Sequence, residues 1–146
     1  MGFREFDGAE VEACLERERV IRIAFAAEGE MYVVPVFYVW HGGALCGLTT
    51  PGRKTRMAEA DPAVAFQIDS SATTGPWAWS SVSGEGVWEV VANPAEFGPF
   101  AAKLREKLSD SPDWASRVLQ ERFATQGMVA WRIRPTRMSG RAHSDD

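Results

Sequence analysis

The chain has 146 residues and a mass of 16.1 kDa, with 45% hydrophobic and 25% charged residues. These are the proportions of one globular domain with a sizeable core, not of a disordered chain. The formal net charge of −4, with a pI near 5.3, excludes a protein whose main business is gripping duplex nucleic acid by its phosphates.

Asp7 with Glu10 three residues later has the form of a capping box. It opens a helix to about Arg17, with Val11, Cys14 and Leu15 on one face. From Val20 the period becomes that of strands: residues 20–26, a turn at Glu28-Gly29-Glu30, then a long apolar strand over 31–40. His41-Gly42-Gly43 makes the next turn and 44–50 a third strand. Pro51 and Gly52 open a short helix that ends before Asp61-Pro62. Val64, Phe66 and Ile68 then alternate with Ala65, Gln67 and Asp69 in a fourth strand. Residues 70–78 read as a loop, and 79–91 as a fifth strand whose glycines suggest bends.

Asn93-Pro94 starts a helix carrying Phe97, Phe100, Ala101, Leu104 and Leu108 on one stripe. Ser111-Pro112-Asp113 starts another, with Trp114, Val118, Leu119 and Phe123. Residues 128–135 form the last strand, and 1–6 and 140–146 read as frayed ends. Short connections rule out repeated parallel crossovers. The expected fold is mainly β with flanking helices: a barrel of about six antiparallel strands, in one domain over 1–146.

Residues 31–58 contain no acid, although the chain is acidic overall. Within them Thr49, Thr50 and Gly52 precede Arg53, Lys54 and Arg56. Hydroxyls at a strand end, a glycine exposing backbone N–H groups and cations at a helix start are the parts of a phosphate site. Cations at the positive end of a helix are unfavourable unless an anion joins them. The run resembles a Walker A loop, but Arg53 is inserted between Gly52 and Lys54, and no strand–helix alternation surrounds it. Gly84-Glu85-Gly86 lacks the third glycine and the helix of a dinucleotide fingerprint.

An uncharged stretch over 70–84 carries Trp77 and Trp79 among hydroxyl residues, either as loop anchors or as a flat wall for an aromatic ligand with Ser80 and Ser81 at its edge. Val34-Pro35-Val36 puts a proline in mid-strand, which marks an edge or a locally open ladder. Catalytic side chains are scarce. His41 and His143 stand near no nucleophile, no cluster has metal-ligand spacing, and Cys14 and Cys46 read as buried small hydrophobes. A cofactor would carry any chemistry. No apolar run approaches the roughly 20 residues of a membrane-spanning helix, and the N-terminus lacks a signal-peptide pattern, so a cytoplasmic protein is expected.

The strand YVVPVFYV from Tyr32 to Val39, the strand ending in Thr49-Thr50, the PGRKTRMAEADPAVAFQID element and the later WSSVSGEG run resemble the pyridoxamine 5′-phosphate oxidase-like family of FMN-binding split β-barrels. The resemblance covers roughly residues 17–92, with a compatible strand at 128–135. It implies that Arg53 and Lys54 grip an FMN phosphate beside Thr49 and Thr50. It implies too that Val34, Pro35 and Val36 line the flavin ring through backbone groups, with Ser81 and Gln67 at the pocket wall. In that family the flavin lies between two subunits, so a homodimer is implied, with Trp77 or Trp79 serving the partner's site. F420 or haem on the same barrel, and a flavin binder that is no enzyme, are the alternatives. A nicotinamide donor, NADH or NADPH, and a small planar substrate complete the expectation. Neither nucleic acid nor membrane is an expected partner. Arg132, Arg134 and Arg137 do not reproduce the C-terminal substrate motif of true pyridoxamine phosphate oxidases, which puts vitamin B6 oxidation in doubt.

Overall fold

The computed structural model describes residues 2–144. In chain order they form β1 (Gly2–Glu5), α1 (Gly8–Arg17), β2 (Val20–Ala27), β3 (Glu30–Phe37), β4 (Val39–His41), β5 (Ala44–Thr49), α2 (Arg53–Ala60) and β6 (Ala63–Asp69). There follow α3 (Ser71–Thr74), β7 (Trp79–Val90), α4 (Pro94–Lys107), α5 (Asp113–Gln126) and β8 (Val129–Ser144). One antiparallel sheet runs β3-β2-β6-β7-β8-β5-β4, and β1 pairs with the far end of β8. It curls into a half-barrel flanked by helices.

Local chemistry sets the boundaries. Glu10 N–H donates to the Asp7 carboxylate at 2.8 Å and the Glu10 side chain accepts from Asp7 N–H, so the capping box forms. Ala95 N–H donates to Asn93 Oδ1 at the start of α4. Glu28 and Gly29 take positive φ values of 53° and 79°, the twist that a two-residue hairpin loop requires.

Three segments differ from the sequence expectation. The strand expected over 31–40 breaks at Tyr38, because Tyr38 and Val39 are both buried and strand alternation cannot bury neighbours on one face. Tyr38 turns inward, and its hydroxyl donates to the Leu15 carbonyl at 2.8 Å. Residues 71–74 of the expected loop form a single helical turn. The last strand runs on to Ser144, and its end is not frayed: Phe3 pairs with His143 and Glu5 with Arg141. Residues 1, 145 and 146 of the expected frayed ends lie outside the described residues. Within β8, Thr136 is an extra residue between Pro135, opposite Gly86, and Arg137, opposite Glu85. This bulge tolerates a proline that a regular inner strand would not.

The barrel interior holds Ile21, Ile23, Phe25, Phe66, Ile68, Val82, Trp88, Trp131 and Ile133. Cys14 and Leu15 of α1 and Met57 and Ala58 of α2 pack into the same cluster. The apolar stripe of α4 covers the outside of β4, β5 and β8, where Phe100 and Leu104 meet Val39, Ala44, Cys46 and Ala130. The outer face of β3, β2, β6 and β7 carries no such helical cover. Its exposed or half-buried side chains include Met31, Val33, Ala24, Ala65, Gln67 and Ser81.

Candidate functional site

β3 is an edge strand, one of the two arrangements its proline allowed: it pairs with β2 alone. Proline has no N–H, so Pro35 stands opposite Arg22 without a mutual hydrogen-bonded pair, and the ladder bonds fall to Val34 and Val36. The side chains of Val34 and Val36 also pack against the core. Both residues are therefore committed to β2 and the interior, whereas the sequence expectation treated 34, 35 and 36 alike. The free backbone groups of the edge belong to Val33, Pro35 and Phe37. Phe37 confirms the orientation: its carbonyl faces β5, so close that a Cβ on Gly47 would lie 2.8 Å away.

Across this split, β5 and the start of α2 run alongside β3. Gly47 abuts Phe37 at one end, and the Arg53 guanidinium lies 4.5 Å over the Tyr32 ring at the other. Thr49 and Thr50 lie between those contacts, both buried. The Thr49 hydroxyl meets only the Thr50 carbonyl at 3.5 Å, too long to be a strong bond. Thr55 ties down the helix start, accepting from Gly52 N–H and donating to Gly52 C=O, both at 2.9 Å. The first N–H groups of α2 have no intrahelical acceptor, and no acid stands in its first turn.

The two cations expected at a phosphate differ in their surroundings. Arg53 is half-exposed and has an acid 3.7 Å away in Glu30. Lys54 is half-buried and has no acidic partner among the described residues. Burial pushes its ammonium pKa down, and Arg122 of α5 pushes it further. Sequence reasoning missed Arg122, since only a long-range pairing, Thr49 with Val129, brings the end of α5 beside this strand end.

On the outer face next to Pro35, Arg22 reaches both Gln67 Oε1 and an Asp69 oxygen at 3.3 Å. Gln67 Nε2 donates to Asp69 at 2.8 Å and to Ser81 Oγ at 3.1 Å. Burial raises the Asp69 carboxyl, but hydrogen bonds from Ser71 and Gln67 and the Arg22 charge outweigh it and hold the pKa below its usual value. The fold thus brings Gln67 and Ser81 together and adds Arg22 and Asp69. A lone charge inside the apolar run 20–26, on its outward parity, was the signal for Arg22. Trp79 shares this face two residues before Ser81, but its ring stacks on His143 at 5.7 Å, and Phe3 packs against both rings.

Neither histidine stands at the split: His41 packs near Phe100, and His143 binds the Trp77 carbonyl at 2.8 Å. Cys14 and Cys46 are buried free thiols, and no cluster of metal-ligating side chains occurs among the described residues. Of two cavities, the larger, about 630 Å³, lies elsewhere, against Phe6, Trp40 and Met138, and the smaller, about 340 Å³, adjoins the head of α2, against Pro51, Thr55, Trp88 and Val129. At the split the outer edge of β3 has no hydrogen-bonded partner strand.

A family model described as pyridoxamine 5′-phosphate oxidase matches residues 7–142, nearly the whole chain. The chain belongs to the pyridoxamine 5′-phosphate oxidase-like family. Among solved structures it is similar to an FAD-binding protein from Mesorhizobium loti, with 28% identity, a TM-score of 0.79 and 99% of each chain covered. It is similar also to an F420 reductase, with 26% identity over 87% of this chain and 94% of that one, at a TM-score of 0.60. The heme storage protein HutZ from Vibrio cholerae shares the fold, with 15% identity, a TM-score of 0.71 and coverage of 90% and 92%. No curated protein matches. In this family member three of the four arginines of the last strand are ion-paired: Arg132 and Arg134 bind Glu89, and Arg137 binds Glu85 at 2.9 Å. No helix among the described residues is long and apolar enough to cross a membrane.

Proposed function

We propose that this protein is a homodimeric, cytoplasmic FMN-binding oxidoreductase, with the flavin phosphate at Thr49, Thr50, Arg53 and Lys54 and the ring along the open edge of β3. The observation that carries the reading is the half-buried Lys54, which has a second cation and no acid for company. Partial desolvation without a counter-charge is unfavourable, and a phosphate at the head of α2 relieves it. The donor set fits the rest of the cofactor. Unbonded backbone groups at Val33 and Pro35 face the split, and the Ser81 hydroxyl, held by a Gln67 amide that Asp69 and Arg22 fix in turn, keeps its O–H free for a heterocycle's polar rim.

Bound there, a flavin supplies hydride or electron transfer between NADH or NADPH and a small planar substrate. The chain's own part is to anchor the phosphate, fix the ring's polar edge and leave one ring face open. That open face is the place for a second subunit. FAD is a second reading, favoured by the 28% identical Mesorhizobium loti protein, and F420 a third, favoured by the 26% identical reductase. Haem fits less well, because neither histidine reaches the split.

The experiment is to saturate the purified protein with FMN, FAD and F420 in turn and measure affinity by fluorescence. Anaerobic addition of NADH or NADPH to the preferred complex follows. FMN binding with bleaching by one donor is expected. No binding of any of the three sinks the reading, and binding without bleaching reduces it to a flavin carrier.

A further inference from the structure

Helix α5 is anomalous. It has 14 residues, yet none is buried, and its apolar stripe leaves Trp114 66% and Val118 46% exposed. An amphipathic helix takes most of its stability from the face it buries. This one has only partly covered residues such as Leu119 and Phe123 to hold it. Its position is nevertheless defined at one end. Gly127 closes the helix in the positive-φ region at 88°, with its N–H on the Phe123 carbonyl, and β8 begins at once. Val129 then pairs with Thr49. The last turns of α5 therefore stand beside the end of β5 and the start of α2, and Arg122 lies in them.

Arg122 has no acidic partner among the described residues, and neither has Lys54. Two uncompensated cations on elements joined by one strand pair repel each other, while nothing in the core compensates for holding α5 there. An anion between them reverses the sign of that interaction and gives the helix its missing anchor.

We propose that Arg122 is a further ligand of the flavin phosphate, and that phosphate binding locks α5 against the head of α2. This rests on the flavin reading of the site and adds to it a residue, an element and a consequence. In the free protein α5 opens easily. In the complex it is clamped by a charge-assisted bond between its last turns and the phosphate, so cofactor loading is communicated to an exposed helix bearing Trp114 and Val118.

Hydrogen exchange of residues 113–126 tests the clamp, with FMN and with riboflavin, which lacks the phosphate, as probes. FMN is expected to slow exchange across α5 severalfold in the unaltered protein, and riboflavin at saturation to leave it unchanged. Arg122→Ala is expected to abolish the slowing and to weaken FMN binding by about tenfold, the size of one charge-assisted bond, with riboflavin affinity unaffected. Arg117→Ala, on another side of the same helix, controls for loss of surface charge and is expected to behave as the unaltered protein. If FMN binds but α5 exchanges at its free rate, or Arg122→Ala binds FMN normally, the clamp is wrong and the flavin reading survives. If the unaltered protein binds neither FMN nor riboflavin, both fall together.

Discussion

Lys54 and Arg53 are neighbours in sequence and were equivalent as candidate phosphate ligands, but their environments make them unequal. Arg53 stacks on Tyr32 and has Glu30 within 3.7 Å, so part of its charge is already answered. Lys54 has no acidic partner among the described residues. Lys54→Ala is therefore expected to weaken FMN binding more than Arg53→Ala does. Loss of a charge-assisted bond is worth roughly 1.5–3 kcal/mol, which sets the larger effect at tenfold to a hundredfold. Fluorescence titration of the two variants decides it, and equal losses would contradict the asymmetry. Asp69 allows a pH test of the outer-face network. Its pKa is held below the usual carboxylate value in the fold, so its contribution is complete above about pH 4, where the unfolded chain also ionises, and fades as pH falls toward the folded value. Urea unfolding should show Asp69→Asn less stable than the unaltered protein at pH 7, with the gap narrowing as pH falls below the ordinary carboxylate range; a constant gap would mean that the carboxylate's charge plays no part. At this scale the sequence was legible where a pattern is local. The acid-free run and the Thr-Thr…Gly-Arg-Lys order lie within a few residues. Arg122 joins only through the pairing of Thr49 with Val129, a contact between residues 80 positions apart that no local pattern announces.

Among the elements, the strands of the barrel were readable because alternation and turn residues coincide, as in β2, β6 and the Glu28-Gly29 turn. Where every residue is apolar the period is silent, so the break at Tyr38 was invisible: it follows from a hydrogen bond to Leu15 made by a different element. The extension of β8 was hidden for the opposite reason. Its polar residues 136–144 look like a tail until β7 and β1 supply the ladders. The glycines of β7 show why it can bend around the core. A Cβ at Gly84 would overlap the Arg137 carbonyl of β8 and sit 2.6 Å from the Phe66 ring. Because the obstruction is backbone, it cannot be relieved by a rotamer change, and Gly84→Ala is expected to destabilise by about 1–3 kcal/mol or more. Gly98, inside α4, has open space around its would-be Cβ apart from its chain neighbours, but Pro99 follows it, and a helical residue before proline is crowded once it carries a Cβ, so Gly98→Ala is expected to gain little of the usual helix propensity. The denaturation midpoint should fall clearly for Gly84→Ala and move little for Gly98→Ala. A stable Gly84→Ala would mean that β7 and β8 are not as tightly apposed as their register implies.

For the molecule as a whole, one fact organises the surface: α4 covers the outer face of β4, β5 and β8, while the outer face of β3, β2, β6 and β7 lacks such cover. There Met31 is 81% and Val33 64% exposed, and Ala24, Ala26, Ala63, Ala65 and Val87 lie on the same side of neighbouring strands. Small apolar side chains make this a flat surface of the kind that marks a protein contact. The phosphate residues and the Arg22–Asp69 network border it, so a second copy placed there would cover the unpaired edge of β3. Met31→Glu separates the possibilities. In a monomer a charge at so exposed a position should be neutral or mildly favourable to solubility. In a dimer closed through this face it must be desolvated in both subunits, against apolar neighbours that cannot pair with it. The unaltered protein is expected to have twice the monomer mass by light scattering, and Met31→Glu to shift toward monomer at micromolar concentration with its circular dichroism intact. Flavin retention should fall with the dimer, because Met31 itself lies outside the phosphate and ring contacts. A variant that remains dimeric would move the subunit contact to another face, and a monomeric unaltered protein would leave the flavin's open side to solvent.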